Sequence, residues 1–145
     1  DEFDPKIAIN KTSEAIKSNN VNVIYEGAFQ YKKTYIRADV LLKNNDGWTM
    51  LEAKASTNVK DINIFDVAIQ SYIAKQNGLN LNLKKLININ KEFLYQGNED
   101  YSDLIKEIEG YQTYFLPTPR LQLLVYLLLN VCSREQLLFF LEKAF

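Results

Sequence analysis

Residues 35–56 read YIRADVLLKNNDGWTMLEAKAS, and this stretch decides the fold. Asn44, Asn45, Asp46 and Gly47 form a turn signal between two strand-like runs, which predicts a β-hairpin. Side chains on a strand alternate between faces, so Glu52 and Lys54 project together from the second strand, with Trp48 and Met50 on the same face. If the strands pair from Lys43 and Trp48 outward, Leu41 faces Met50 and Asp39 faces Glu52. Two carboxylates then become direct cross-strand neighbours, roughly 5 Å apart at their β-carbons. A turn centred on Asp46 and Gly47 would instead set Asp39 opposite Lys54, with Glu52 as its diagonal neighbour. The same three residues meet in both registers.

Like charges placed opposite each other destabilise a sheet. A divalent cation neutralises such a pair, because hard cations take oxygen ligands from one or two carboxylates plus water and phosphate. Lys54, one step further along, is then placed to orient or deprotonate an attacking water, or to stabilise charge on a phosphate. These residue types at this spacing point to metal-dependent phosphodiester hydrolysis. The plainer alternative is a solvated strand face carrying a surface ion pair. Arg37 shares the Asp39 face and can grip a phosphate or pair with an acid.

An Asp on one strand followed by Glu-x-Lys on the next, here Asp39, Glu52, Ala53 and Lys54, resembles the signature of the PD-(D/E)XK nuclease superfamily. The longer stretch VIYEGAFQYKKTYIRADVLLKNNDGWTMLEAKAS and the helix containing DVAIQSY look like the RecB-like branch, which includes CRISPR-associated exonucleases. More narrowly, the chain is similar to a bacterial family of uncharacterised predicted nucleases in that branch. The resemblance covers about the first two thirds of the chain. It implies an α/β fold with a restriction-endonuclease-like core: helix, three-stranded antiparallel meander, helix, strand.

The resemblance also implies roles. Asp39 and Glu52 are expected as ligands of Mg2+ or Mn2+, with the Ala53 carbonyl as a third and Glu26 as an additional acidic ligand where some relatives have His. Lys54 is expected as the catalytic lysine and Gln70 as a contributor from the following helix. Tyr72 departs from the family spacing, since the usual Tyr position holds Ala74. The implied reaction leaves 5′-phosphate and 3′-hydroxyl ends on DNA. Some relatives hold an iron-sulfur cluster on four cysteines; Cys132 stands alone, so no such cluster forms within this chain. The alternative from another class is a catalytically inactive nuclease-fold module that serves nucleic-acid binding or assembly in a larger protein.

The chain has 145 residues, 47% of them hydrophobic, as expected of one ordinary globular domain. A formal net charge of -1 carries no global basic signal, so affinity for nucleic acid has to come from a local patch and metal bridging. Lys32, Lys33, Lys60, Lys84 and Lys85 are candidates for a backbone groove, with scattered solvated lysines as the plain alternative. One Cys excludes an internal disulfide and a cysteine zinc site, and fits a reducing, cytoplasmic setting. No signal-peptide pattern and no charge-free apolar run approaching about 18 residues are present, so no membrane partner is expected. The absence of an initiator Met fits an excised piece of a longer protein.

Asp4 followed by Pro5 predicts a helix start, and that helix should end near Ser18 to Asn20. Val21 to Tyr31 reads as a strand that places Glu26 beside the hairpin. Asn63 is expected to cap the next helix, with Asp66 three residues on, an Ile62–Val67 staple and Gly78 at its end. Phe65, Ile69, Tyr72, Ile73 and Gln76 form its predicted sheet-facing stripe, with Gln70 on the flank. LNLKKLININKEF reads as a strand with Leu81, Leu83, Lys85, Ile87 and Ile89 on one face, and DYSDLIKEIEGY as a short helix. Residues 1–110 thus make the expected core. Pro117 and Pro119 break the chain before two apolar helices, LQLLVYLLLNVC and, after a Ser133 cap with Gln136, REQLLFFLEKAF. Residues 111–145 are therefore expected as a helical extension packed on the core, on further segments of the protein or on a second copy in a homo-oligomer.

Overall fold

The computed structural model describes residues 4–108, positions 57, 59 and 98 apart. The expected C-terminal helices, with Cys132 and Ser133, lie outside the described residues, as does the boundary at 110. Within that span the protein is α/β, with two helices and a five-stranded mixed sheet. The elements run α1 (Pro5–Lys17), β1 (Val23–Tyr31), β2 (Thr34–Asn44), β3 (Gly47–Lys54), α2 (Asp61–Gln76), β4 (Leu81–Ile89) and β5 (Ile105–Glu107). The strands lie in chain order, β1 to β3 antiparallel, β4 parallel to β3 and β5 antiparallel to β4. A parallel step needs a crossover connection, and α2 is that crossover.

Helix α1 starts as the sequence predicts. The Asp4 carboxylate accepts the Lys6 N–H at 2.8 Å and Pro5 occupies the first turn. Thr12, buried, takes the helix to the sheet: its hydroxyl accepts the Ala28 N–H of β1 at 2.9 Å. The β2–β3 hairpin has the expected register, with Lys43 opposite Trp48 and Leu41 opposite Met50. Its turn is tighter by one pair, since Asn44 also faces Gly47. Gly47 has φ 141°, and a β-carbon there would lie 2.3 Å from the Asn80 carbonyl oxygen, so only glycine fits.

Two elements differ from expectation. Helix α2 begins at Asp61 rather than after Asn63, and its N-cap Lys60 makes no side-chain cap. Its end does follow the sequence: Gly78 at φ 83°, with Leu79 N–H donating to Ala74 O and Gly78 N–H to Lys75 O, closes a Schellman motif. The segment expected as a helix after Asp100 forms turns and then β5, because Ile105, Lys106 and Glu107 find backbone partners on Ile89, Asn88 and Ile87. A neighbouring strand edge thus outweighs a local helical pattern over so short a run.

Strand β4 carries the third correction. Trp48 faces Leu81 and Thr49 faces Leu83, so Asn82 is an extra residue that reverses the alternation beyond it. Leu81 is buried before the irregularity and Lys84 and Leu86 after it, while Leu83 and Ile89 are exposed. The main core gathers Ile24, Phe29, Leu41, Trp48, Met50 and Ile73, with Ala15 and Ile16 of α1 packed against it. Val67 of α2 meets Leu86 in a smaller cluster. No helix among the described residues is long and apolar enough to cross a membrane.

Candidate functional site

The β2–β3 ladder runs regularly from Asn44 and Gly47 to Val40 and Leu51 and ends there. Asp39 and Glu52 are next in register but do not pair as strand residues. Instead the strands fork. The Asp39 carboxylate bridges the opening, its Oδ2 accepting the Ala53 N–H at 2.7 Å. From Glu52 to Lys54, β3 pairs only with β4, through Leu86, Ile87 and Asn88. The β1–β2 ladder is interrupted at the same level, since Tyr25 pairs Val40 and Gly27 pairs Ala38 while Glu26 and Asp39 between them do not pair. Asp39 therefore sits where both flanking ladders part.

Glu52 points under α2, its side chain only 5% exposed. Lys54 Nζ donates to Glu52 Oε1 at 2.6 Å and to Asp66 Oδ2 at 2.8 Å. Gln70 Nε2 donates to Glu52 Oε2 at 2.9 Å and to Asp66 Oδ1 at 3.3 Å. Each Glu52 oxygen thus has one donor, and Asp66 ties both donors together from the solvent side. Gln70 Oε1 is buried without a hydrogen-bond partner among the described residues, which is uncommon for a buried polar atom.

Burial pushes the Glu52 carboxyl up from 4.5 to about 7. The Lys54 hydrogen bond opposes that rise, and the charges of Asp39 and Asp66 add to it. For Lys54 burial disfavours the ammonium, but the hydrogen bonds to Asp66 and Glu52 prevail and hold its pKa above the usual lysine value. Lys54 is accordingly a cation at neutral pH. Of the roles open to it from sequence, orientation and charge stabilisation fit the geometry; deprotonating water does not.

Glu52, Lys54 and Gln70 meet through hydrogen bonds and Asp39 joins them only through the Ala53 N–H, so Asp39 and Glu52 are not the direct cross-strand pair expected from the hairpin. Gln70 is more central than expected: it lies buried on the inner face of α2 with Val67, Ser71 and Ala74, whereas Gln76 of the predicted stripe is exposed. Glu26 is not gathered in. It adopts φ 53°, a left-handed conformation, and its carboxylate pairs with Arg37 Nε at 3.0 Å on a half-exposed surface. Among the described residues no three Asp, Glu, His or Cys groups converge to hold an ion, so the four-membered ligand set with Glu26 is not assembled. Arg37 is taken by Glu26 rather than left to a phosphate. Tyr72 packs edge-on against Tyr31 at 6.0 Å, in the core.

The basic groove is not formed as expected either. Lys84, on the β4 face turned inward by Asn82, is buried, and Lys85 pairs with Glu107 at 2.8 Å. Asp66 is the site residue that the sequence reading missed as such. Its signal was the spacing Asp66 to Gln70, which puts both on one helix face one turn apart.

The donor chemistry suits a divalent ion. Asp39 and Glu52 supply two carboxylates, one of them buried and reluctant to ionise without a nearby positive charge. Mg2+ is commonly held by one or two carboxylates, with water and substrate phosphate completing its shell. Comparison with protein-family models, curated proteins and solved structures finds no match to the chain.

Proposed function

We propose that the chain is a PD-(D/E)XK-type nuclease that uses Mg2+ or Mn2+ to hydrolyse DNA phosphodiester bonds, leaving 5′-phosphate and 3′-hydroxyl ends. One observation carries this reading: at the fork of β2 and β3, a buried Glu52 is clasped by an ammonium and an amide beside a second acid, Asp39. A scaffold has no need for a buried carboxylate whose charge is resisted by burial and by two neighbouring acids. The element order of helix, three antiparallel strands, helix and parallel strand supports a restriction-endonuclease-like core. The single Cys132 supports a reducing, cytoplasmic setting.

In this mechanism Asp39 and Glu52 would hold the ion, which when bound lowers the pKa of water and offsets charge on the phosphate. Lys54 keeps its proton, orients the attacking water for in-line displacement and stabilises the negative charge that builds up on the phosphate; as the new P–O bond forms and the P–O3′ bond breaks, the water's proton passes to bulk solvent and the departing 3′-oxygen takes one from it. Gln70 and Asp66 fix the rotamers of Glu52 and Lys54, so that neither has to reorganise during the reaction.

Purified protein incubated with labelled single- and double-stranded DNA is expected to cleave in Mg2+ or Mn2+ and not in EDTA. Cleavage that persists in Lys54→Ala or Asp39→Ala would reject this site. A second reading, a catalytically inactive module for nucleic-acid binding or assembly, is favoured by the pairing of Glu26 with Arg37 in place of a third acid at the site. Calorimetric titration with Mn2+ separates the two: binding lost in Glu52→Ala supports the enzyme, and no binding above background supports the module.

A further inference from the structure

The sheet has a second face that the candidate site leaves alone. Helix α2 covers the first: Ser71 Oγ approaches Met50 Sδ at 3.8 Å, Gln70 reaches Glu52, and Val67 packs on Leu86. Residues paired across strands project to the same side and successive residues alternate sides, so the strand neighbours of Met50, Glu52 and Leu86 lie on the opposite face. There Val23, Leu42, Thr49 and Leu83 line up across four strands. Two residues on, Val40 and Leu51 form the next row with Lys85. Ile87 follows, and Ile89 opposite Ile105 closes the face at β5. Val23, Leu83, Ile89 and Ile105 are between 40% and 58% exposed. The charges within these rows, Lys85 and Glu107, pair with each other at 2.8 Å, which leaves an apolar face without net charge.

These rows, two residues apart on five strands, span about 25 Å each way with their side chains, on the order of 600 Å2 in projection and more in accessible surface. A monomer seldom exposes a larger apolar patch, and each partner in a specific complex contributes about 800 Å2. The β3–β4 pair is parallel, and parallel strands are usually covered on both faces. The chain itself heads the other way at its last described residue: Ile108, its N–H bonded to the Leu86 carbonyl, packs into the cluster of Val67 and Leu86 beneath α2. An apolar surface with its charges already paired offers a partner no ion to select, and a second copy across a two-fold axis matches it in shape and chemistry. We propose that this face is the contact between two copies of the chain, packed sheet on sheet at about 10 Å. Both candidate sites then face outward on the α2 sides, so the contact neither covers nor completes them.

The test is sedimentation velocity of the full chain across micromolar concentrations, which should show a reversible dimer. Leu83→Asp and Ile89→Asp should each weaken it about a hundredfold or more, because a two-fold contact loses the burial of that side chain twice. Lys75→Ala, on the exposed side of α2, should leave it unchanged. In a second measurement, a benzophenone amino acid in place of Leu83 should on illumination give a product of twice the chain mass, joined to residues of this same face. That product reads the contact even where an aspartate variant fails to fold. A monomer at every concentration overturns the proposal, as does a dimer indifferent to both aspartates. So does a cross-link that stays within one chain and lands on residues 109–145, which would show the chain covering its own sheet. A protein that dimerises as expected and cuts no DNA sinks the nuclease reading alone. A monomer that cuts normally sinks the contact alone.

Discussion

Glu52→Gln should abolish a pH dependence of stability that the wild type carries between about pH 4.5 and 7. In the folded protein the Glu52 carboxyl holds its proton up to about pH 7, against an ordinary value of 4.5. Through that interval the folded chain binds more protons at this position than the unfolded chain does, so unfolding free energy falls as pH rises. The contribution is complete below 4.5 and gone once pH has passed about 7. At about 1.4 kcal/mol per pH unit, a rise from 4.5 to about 7 corresponds to about 3 kcal/mol across the window. The side chain is 5% exposed, so solvent screening offers little reduction. The assay is urea-induced unfolding in EDTA at several values between about pH 5 and pH 8, comparing wild type with Glu52→Gln. The wild type should lose stability with rising pH and the variant should lack that component. Millimolar Mg2+ should flatten the wild-type decline, because an ion favours the ionised carboxylate, and should leave the variant unchanged. Equal slopes for the two proteins in EDTA would refute the assignment of the buried charge to Glu52.

Lys84, pushed down to about 8 by burial and by the nearby charge of Lys75, gives the opposite sign. The unfolded chain holds this proton more firmly, so stability should climb between about pH 8 and 10.5, and a pH series on Lys84→Met should lack that climb. Gly47→Ala should destabilise by about 2 kcal/mol or more in chemical denaturation, because its β-carbon would meet the Asn80 carbonyl and its φ of 141° disfavours a side chain. Thr12→Val should lower the denaturation midpoint by an amount equivalent to about 1–3 kcal/mol, since it leaves the buried Ala28 N–H without its acceptor; an unchanged midpoint would show that bond to be dispensable.

The hairpin was legible because two local signals agree. The turn residues and the alternation of apolar positions predict the hairpin and leave two registers open, and the observed pairs follow the one that sets Lys43 opposite Trp48 and Leu41 opposite Met50. The start of α1 was legible for the same reason, being set by Asp4 and Pro5. What could not be read was decided by neighbours distant in sequence. The fork at Asp39 arises because the Asp39 carboxylate takes the Ala53 N–H, which alternation within a strand cannot foretell. The extra Asn82 in β4 has no local sign, yet it turns Lys84 inward and Leu83 outward. The stripe drawn through Phe65, Ile69, Tyr72, Ile73 and Gln76 of α2 left Gln70 on its flank and Ser71 out, yet both are buried because each finds a partner: Glu52 for one, the Val67 carbonyl for the other. Glu26 stood correctly beside the hairpin, but its left-handed backbone and Arg37 turn its carboxylate elsewhere.

The parting of β2 from β3 creates half a sheet border in the middle of the molecule. Beyond Leu51, β3 keeps a neighbour on the β4 side and has lost the one on the other. Open strand borders invite pairing with foreign chains, and natural proteins blunt them with charge. Asp39 does this by covering the Ala53 amide with an anionic side chain. An anionic cap on that amide should disfavour pairing with a foreign strand, so Asp39→Ala should show a greater tendency to associate than Lys54→Ala, and Asp39→Asn, which keeps an acceptor for that amide, should fall between them.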